Sequence, residues 1–388
     1  MEKNSGGREQ GLSRDDEARC LAFRERFPIF RSKVYLNSCS QGALGDAVEA
    51  ALGEYLEVWR RRGSPWDRWV EVQEELRGEF AALIGAAPEE VAVTFAASTA
   101  IYGVASSLDY AARPKVVLGE LEFPTQCHIW LAQAARGARI EWVEAEEGAT
   151  SPEAYRRRVD TRTAIVPATH VSFRNGFRND AAALARIAHD SGAWFLLDDY
   201  QSCGTRPLDV RRLEADFYVS GALKYLLGAS GVAFLYVRRE LIEGLRPTLT
   251  GWFAQRAPFA FDIKRHDPAD SAARFQTGSP PVPSAYAALA GIRLLRELGL
   301  ERVGRRIADL TGLFVRAALQ RGWSLKTPAD SAGPLVVLRV ADAPGAVAAL
   351  ERRGIIVSSR DDGLRISFHA YNAPEDVEAV TRALEEIL

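Results

Sequence analysis

Short apolar runs alternate with amphipathic stretches through the first two-thirds of the chain. The runs predict buried β-strands, and they are Val91–Thr94, Val116–Leu118, Ile140–Val143, Ala164–Pro167, Trp194–Asp198, Phe217–Ser220 and Val232–Val237. Between them, apolar residues recur at helical spacing in Ala97–Leu108, Pro124–Ala135 and Asp180–Ser191. This alternation predicts an α/β fold whose mainly parallel, seven-stranded sheet is covered by helices on both faces.

The pattern changes after about residue 265. A Pro-rich segment, Gly278–Pro283, leads into an end that mixes predicted helices and strands, at Ala285–Leu298, Glu301–Arg321, Leu335–Val340, Ile355–Ser359, Leu364–Phe368 and Pro374–Ile387. We therefore predict three parts: a polar N-terminal tail and helix at 1–27, a large domain at 28–265, and a smaller α+β domain at 266–388.

Composition and charge exclude several classes of partner. Of the 388 residues, 47% are apolar and 26% are charged, and the formal net charge is −2. A near-neutral chain does not predict a nucleic-acid or anionic-membrane surface. No apolar run approaches the length of a membrane span, and the N-terminus lacks a hydrophobic signal core.

The cysteines and histidines predict neither a disulfide framework nor a metal site. None of the four cysteines is paired at short spacing, and the five histidines form no HxxxH or HxH pattern; the cysteines are Cys20, Cys39, Cys127 and Cys203. A reducing compartment fits this usage best, so we expect a cytoplasmic protein.

Lys224 lies in a short segment between two predicted strands, Phe217–Ser220 and Val232–Val237. Gly221 and Gly228 flank it and are expected to loosen the chain. An apolar setting disfavours the ammonium form of lysine, so its amine becomes a nucleophile. These are the conditions that a Schiff-base lysine requires.

A carboxylate lies upstream, where the run Trp194–Asp198 ends. Ligands collect at the carboxyl ends of strands in such sheets, so Asp198 lies at the predicted ligand edge. Pyridoxal phosphate (PLP) needs a lysine to hold its aldehyde and a carboxylate to keep its ring nitrogen protonated. Lys224 and Asp198 together predict a PLP site, whereas Asp198 alone is equally compatible with a turn acid or a helix cap.

Two further segments suit the same cofactor. Ser98 and Thr99 follow a predicted strand at a helix start, where backbone N–H groups and hydroxyls bind phosphate; a simple N-cap is the alternative. Phe123 precedes Pro124 at another predicted helix start. We expect its ring to cover the flat cofactor, with packing in the core as the alternative.

These segments, with others in the same order, resemble the class V aminotransferase family of fold-type I PLP enzymes. The nearest branches are the kynureninase and cysteine desulfurase groups, and the resemblance runs from about residue 28 to the end. It is carried by Tyr35–Ser38, Ala97–Thr99, Phe123–Thr125, Thr169–Val171, Asn175–Gly176, Asp198 with Gln201, Leu223–Leu226, Gly251–Phe253, Arg274–Pro280 and Arg365–Phe368.

The resemblance implies a role for each matching residue. Lys224 would bind PLP covalently, and Asp198 would pair with its pyridine nitrogen. The other implied cofactor contacts are Gln201 at the ring hydroxyl, Ser98 and Thr99 at the phosphate, Phe123 on the ring, and Ser279 with Trp252 at the phosphate from a neighbouring subunit. Arg365 would hold the substrate carboxylate, with a surface ion pair as the alternative, and Asn37 would also bind substrate. A homodimer with shared active sites is therefore implied.

Three departures narrow the choice of branch. Leu223 replaces the His or Tyr that often precedes the lysine, and Gln201 stands where kynureninases carry His, which argues against ordinary kynurenine hydrolysis. No cysteine follows Cys203, so the late cysteine that carries a persulfide in desulfurases is missing. A sulfur-relay desulfurase is therefore not expected.

We predict an enzyme that acts on an amino acid through an external aldimine and a quinonoid, with freed Lys224 as general base. The function that we predict first is that of a class V aminotransferase. A C–S or C–C lyase, an epimerase and a non-catalytic PLP-binding regulator remain as alternatives. A nucleotide-binding dehydrogenase would need a GxGxxG loop, and none occurs. An apolar or bulky substrate side chain is favoured by Leu223, Trp66, Trp69, Trp252 and Phe253.

Overall fold

The computed structural model describes residues 13–388. Its α-helices are α1 (Arg14–Arg24), α2 (Asp46–Arg62), α3 (Trp66–Leu83), α4 (Ala97–Ser107), α5 (Pro124–Ala132), α6 (Pro152–Arg158), α7 (Ala181–Asp190), α8 (Arg239–Ile242), α9 (Val282–Leu298), α10 (Leu300–Gln320), α11 (Ala343–Arg352) and α12 (Pro374–Glu385). Its strands are β1 (Val34–Tyr35), β2 (Val91–Thr94), β3 (Lys115–Gly119), β4 (Arg139–Val143), β5 (Thr163–Thr169), β6 (Trp194–Asp198), β7 (Phe217–Gly221), β8 (Ala233–Val237), β9 (Leu335–Arg339), β10 (Ile355–Ile356), β11 (Ser358–Arg360) and β12 (Gly363–Ser367).

Seven of these strands form one sheet in the order β2-β8-β7-β6-β5-β3-β4. Neighbouring strands are parallel except where β8 pairs with β2 and with β7. Strand β2 therefore runs in the same direction as β6, and the carboxyl ends of both lie at one edge. The predicted α/β fold with a mainly parallel, seven-stranded sheet is confirmed.

Helices cover both faces of this sheet. Within β6, Phe195 and Leu197 pack into the core that includes residues of α3 and α9, whereas Leu196 packs into the core that includes α4 and Trp130. Strands β7 and β8 are buried at every position. A strand buried on both faces is a continuous apolar run, which is why these strands were visible in the sequence.

The C-terminal part contains a three-stranded antiparallel sheet in the order β11-β12-β9. The N-terminal segment joins this part, since β1 pairs with β10 and Asn37 forms a bridge with Ser367. Leu36 is buried in the same apolar cluster as Leu364 and Phe368. The segment that follows β1 therefore lies where the small sheet meets the large one.

The predicted three-part division stays a prediction, and residues 1–12 of the predicted tail lie outside the described residues. Helix α1 begins after Ser13, whose hydroxyl accepts from the Asp16 amide. Helix α9 packs on α2 and α3, within the core of the large sheet. Among the described helices, none combines the length and apolar character that crossing a membrane requires.

Candidate active site

Lys224 follows the carboxyl end of β7, three residues beyond Gly221. Its Nζ lies 4.8 Å from the centre of the Tyr200 ring and 5.9 Å from that of Phe123. A Cβ atom on Gly221 would approach the Tyr200 ring to 2.2 Å, so the glycine lets this ring pack against the strand. Gly221 therefore serves close packing, whereas the expectation that it loosens the chain stays a prediction.

The surroundings of Lys224 favour a neutral amine. Burial lowers the pKa of Lys224 to about 8, and the Arg365 guanidinium acts in the same direction, whereas Cys39 and Asp198 oppose the shift. At pH 7 a pKa of 8 instead of 10.5 leaves about 300-fold more neutral amine. Lys224 is thus far more nucleophilic at neutral pH than an exposed lysine.

Asp198 is buried at the carboxyl end of β6, and one oxygen, Oδ1, accepts from the Tyr200 amide over 3.1 Å. No second donor to this carboxylate occurs among residues 13–388, so Oδ2 is available to a ligand. Burial raises the pKa of Asp198 to about 6, while the Tyr200 amide and Lys224 hold it down. A cation beside Oδ2 would stabilise the ionised form further.

A hydrogen-bonded group behind Asp198 was not predicted from the sequence. The buried Asp199 carboxylate accepts from His170 Nδ1 and from the Tyr218 hydroxyl, each over 2.7 Å, and from the Ser202 hydroxyl. Arg206 donates to His170 Nε2, so His170 carries its proton on Nδ1. Burial would raise the pKa of Asp199, but these partners lower it. The Asp198-Asp199 doublet was the available signal: one acid faces the site and the other anchors the turn.

Ser98 and Thr99 lie in the first turn of α4, which follows β2 at the same sheet edge. The N-cap residue, Ala96, gives no side-chain hydrogen bond to the helix, so neither hydroxyl serves as the cap. Ser98 is exposed, and its Oγ lies 3.4 Å from the Thr125 hydroxyl at the start of α5. Free amides and three hydroxyls here form a group suited to phosphate.

Phe123 does not pack in the core. Its side chain is 43% exposed at the start of α5, in edge contact with Phe173 at 5.0 Å between ring centres. The Lys224 Nζ lies over this ring, 5.9 Å from its centre. An exposed aromatic ring beside the lysine is free to stack on a flat ligand.

Gln201 and Arg365 converge on a single atom. Gln201 Nε2 and Arg365 Nη2 each donate over 3.2 Å to the backbone carbonyl of Cys39. Both side chains are buried, and Gln201 Oε1 and Arg365 Nε have no partner among the described residues. Buried polar atoms of this kind are costly unless a ligand completes them. Arg365 is only 2% exposed and forms no ion pair among the described residues. The alternative that it forms a surface ion pair is therefore wrong.

Asn37 lies beside this pair of donors. It begins the turn that carries Cys39, and its Oδ1 lies 3.8 Å from the Cys39 Sγ. The same turn is held to β12 by a hydrogen bond from the Cys39 amide to the Ser367 hydroxyl. Asn37 is partly buried here, at the wall of the site.

Trp252 and Ser279 are not brought to Lys224 by any contact within the described chain. Trp252 packs among aromatic rings, with Phe253 at 4.4 Å and Trp66 at 5.7 Å between ring centres. Ser279 is exposed in the segment before α9. Their predicted contact with phosphate therefore depends on a second subunit and stays a prediction.

Glu122 is a further acid near the site that the sequence did not single out. Its Oε1 accepts from the Thr169 amide over 2.9 Å, and its Oε2 has no partner among the described residues. Burial raises the pKa of Glu122 well above its usual value, and the charge of Asp198 adds to the rise. This shift favours the protonated form of Glu122.

The residues fit PLP. A cation beside Asp198 Oδ2, a ring hydroxyl near Gln201 and a phosphate at the start of α4 would each meet a group that has spare hydrogen-bonding capacity. Lys224 supplies the amine for covalent attachment, and Phe123 the stacking surface. No cluster of three or more metal-ligating side chains occurs in residues 13–388.

Comparison with known proteins identifies the family. The profile described as "Aminotransferase class-V" matches residues 35–380. The chain belongs to the class V aminotransferase family. The uncharacterized aminotransferase YcbU of Bacillus subtilis (strain 168) is 33% identical over 94% of this chain and 96% of its own length. A kynureninase of Pseudomonas fluorescens is 28% identical over 97% of this chain and 94% of its own.

Solved structures share the fold at lower identity. The cysteine desulfurase of Thermococcus onnurineus NA1 superposes with a TM-score of 0.86 at 24% identity, covering 97% of this chain and 99% of its own. A C-DES mutant with glycine covalently linked to PLP also gives 0.86, at 22% identity, covering 93% and 98%. The predicted family, fold, PLP cofactor and enzymatic character are confirmed. The roles of individual residues stay predictions.

Proposed function

We propose that this protein is a PLP-dependent aminotransferase that acts on an α-amino acid. One observation carries the proposal: a buried lysine whose pKa is lowered to about 8 is influenced by both a buried carboxylate and a buried arginine without an acidic partner among the described residues. Asp198 and Arg365 both shift the pKa of Lys224, in opposite directions, so all three belong to one site. This is the set of groups that amino-acid chemistry on PLP requires.

Each residue has a distinct task in the proposed mechanism. When bound, PLP supplies an electron sink for the pair of electrons left at the substrate Cα. Lys224 would hold the cofactor through Nζ, and the same Nζ, once free, would take the proton from Cα. Asp198 would keep a proton on the ring nitrogen. Ser98, Thr99 and the first amides of α4 would hold the phosphate.

Arg365 orients the substrate. Its guanidinium is buried, lacks an acidic partner among the described residues, and has an unpartnered Nε. A bidentate pair with the substrate carboxylate would use Nε together with one Nη. Because such a pair is planar and rigid, it selects which bond at Cα is aligned for cleavage. Asn37, beside Cys39, is proposed to contact the same substrate.

The buried guanidinium also weighs against a non-catalytic PLP-binding regulator. A protein that only senses PLP has no need for an unpaired arginine inside the site, where the desolvation cost is high. A C–S or C–C lyase and an epimerase share every group named above. They differ only in what happens after the proton leaves Cα, so product analysis distinguishes them.

A homodimer with shared active sites is part of the proposal. The segment from residue 249 to 263 exposes apolar side chains around Trp252: Leu249, Phe259, Phe261 and Ile263, the last 94% exposed. An exposed apolar patch of this kind is typical of an interface between subunits. Ser279 is exposed as well, as an in-trans phosphate ligand must be. A cytoplasmic location, without nucleic-acid, metal or membrane partners, completes the proposal.

The covalent step is tested by loading the protein with PLP, reducing with borohydride and mapping the modified peptide. We expect one pyridoxyl group, on Lys224, and none in Lys224→Ala. Lys115 and Lys326, which are ion-paired with Asp160 and Asp362, serve as internal controls. A pyridoxyl group on any other lysine, with Lys224 unmodified, would contradict the proposal.

The reaction is tested with a panel of amino acids and no amino acceptor. An aminotransferase releases at most one keto acid per bound PLP and then stops until an acceptor keto acid is added. Continuous release of keto acid without an acceptor would identify a lyase instead. The appearance of the D-amino acid would identify an epimerase.

Sharing of the site between subunits is tested by complementation. Lys224→Ala and Ser279→Glu chains are each expected to be inactive alone. If Ser279 acts in trans, a mixed dimer has one site with both Lys224 and Ser279 intact, so activity returns on mixing. Absence of recovery in a mixture that forms mixed dimers would show that Ser279 does not serve the partner's site.

A further inference from the structure

The β11–β12 hairpin carries a second arginine beside Arg365. Ser358 on β11 lies directly opposite Arg365 on β12. Side chains of paired residues point to the same face of a sheet, as do those two positions apart on one strand. Arg360 therefore projects from the same face as Arg365, and diagonal neighbours of this kind are about 7–8 Å apart.

This face of the hairpin is turned towards the site. The Ser358 hydroxyl lies 3.4 Å from that of Ser40 and 3.9 Å from the Cys39 Sγ, within the turn that accepts from Arg365. Arg360 acts on Lys224 electrostatically: after burial and the nearer charges, its guanidinium also lowers the pKa of that lysine. The positive charge of Arg360 therefore acts at the position that the substrate of the proposed reaction would occupy.

Arg360 has no acidic partner in residues 13–388. Its one polar contact is Nη1 donating to the Ser359 carbonyl over 2.8 Å. The two acids that follow Arg360 in the sequence do not pair with it. Asp362 is ion-paired with Lys326 and Arg339, and Asp361 forms no ion pair with Arg360. The side chain is exposed, so most of its N–H groups are free to bind a ligand.

We propose that Arg360 binds a second anionic group of the substrate, and that the substrate is an acidic α-amino acid with a side-chain carboxylate. Arg365 takes the α-carboxylate and Arg360 the distal one. This inference rests on the function proposed above, since it assumes that an amino acid occupies the site. It makes the turn of the β11–β12 hairpin the specificity element.

The aromatic residues that favoured an apolar side chain lie elsewhere. Trp66 packs against Trp69 and Trp252, and Trp252 against Phe253, so these rings contact one another. The rings beside Lys224 are those of Phe123 and Tyr200. The rings of Phe123 and Tyr200 are suited to contact a flat cofactor. The arginines of the hairpin are therefore the groups available to bind the side chain of the substrate.

The test compares acids with their isosteric amides on the PLP-loaded enzyme. Dissociation constants for L-aspartate, L-asparagine, L-glutamate and L-glutamine are measured from the change in cofactor absorption on mixing. We expect one of the two acids to bind at least 10-fold more tightly than its amide. In Arg360→Gln this acid-to-amide ratio should fall about 10- to 100-fold, as expected for loss of a charge-assisted pair.

Two further variants sharpen the test. Arg360→Glu should reverse the preference, so that the amide binds more tightly than the acid. Arg352→Gln removes an exposed arginine at the end of α11 and should leave the ratio unchanged. Equal binding of acids and amides by the wild type, or an unchanged ratio in Arg360→Gln, would overturn the inference alone. A spectrum that no amino acid alters would overturn it together with the proposed function.

Discussion

Gln201 and Arg365 share one hydrogen-bond acceptor, the Cys39 carbonyl, although Gln201 lies in the turn after β6 and Arg365 lies on β12. Each keeps one buried polar atom without a partner in the described chain. The Cys39 turn therefore connects a residue proposed to contact the cofactor with the residue proposed to bind substrate. A ligand that satisfied both atoms would remove the desolvation cost of leaving them without a hydrogen bond.

Arg365→Lys should weaken substrate binding while PLP stays bound. Lysine keeps the charge but loses the planar pair of donors, so affinity for the amino acid should fall about 10- to 100-fold. The measurement is the dissociation constant from cofactor absorption, with PLP content checked after dialysis. Arg339→Lys is the matched control, because Arg339 lies on the adjacent strand β9 and is ion-paired with Asp362. Equal losses in both variants would argue against a role in binding.

The reactivity of Lys224 should follow a low pKa. In competitive acetylation of the apoprotein, its labelling should rise with pH through a midpoint at about 8. Arg365→Gln should move this midpoint upwards, because the guanidinium disfavours the ammonium form. Exposed Lys264 is the internal reference for reagent in each sample. A downward movement in Arg365→Gln would contradict the arrangement of charges.

Asp198→Asn should retain PLP but lose most of its activity. The amide is nearly isosteric, yet it cannot hold the ring nitrogen in its charged form, so turnover should fall about 10²- to 10³-fold. The measurements are turnover and PLP content in the same preparation. Full activity in this variant would refute the assigned role of Asp198.

Tyr218 and Tyr236 form a matched pair for the network behind the site. They lie opposite each other on β7 and β8, but only the Tyr218 hydroxyl donates to Asp199. Tyr218→Phe should lower the free energy of unfolding by about 1.5–3 kcal/mol, since it removes a hydrogen bond to a buried charge. Tyr236→Phe should change it by about 0.5 kcal/mol or less. Urea unfolding at pH 7.5 measures the free energy of unfolding of both variants. Equal decreases in the two variants would show that the hydrogen bond from Tyr218 to Asp199 does not stabilise the protein.

His369 should make stability fall on mild acidification. Burial lowers its pKa to about 4, with Nε2 donating to the Tyr225 carbonyl and Nδ1 accepting from the Ala370 amide. Between pH 6.5 and 4 the unfolded chain binds a proton that the folded chain does not, so stability decreases as pH falls. The contribution lost by pH 4.5 is about 2–3 kcal/mol.

The reference for this prediction is His369→Asn. This variant should be less stable at pH 7.5, because the buried hydrogen bonds are disturbed. It should lose less stability than the wild type between pH 7.5 and 4.5, since it has no proton to bind at this position. Parallel urea-unfolding curves at the two pH values measure the difference. Identical losses in the two proteins would show that His369 does not carry the effect.

The strands of the large sheet could be predicted to within about two residues at each end. Val91–Thr94 and Trp194–Asp198 have the same bounds in the sequence prediction and in the structure. Helices α2 and α3 were not predicted, although they are among the longest described. Helix α2 buries only Val48 and carries charges along its length, so it lacks the regular apolar stripe by which helices are recognised.

By itself the sequence determined the fold class and the family, and it predicted the lysine and the carboxylate of the site, because these depend on local patterns: apolar runs, strand ends and the order of motifs. The tertiary structure alone decided which groups meet. Arg365 and Cys39 are separated by 326 positions and touch through a backbone carbonyl, which has no sequence signature. The partnership of Asp199 with His170, and the shared face of Arg360 and Arg365, depend likewise on strand register and packing.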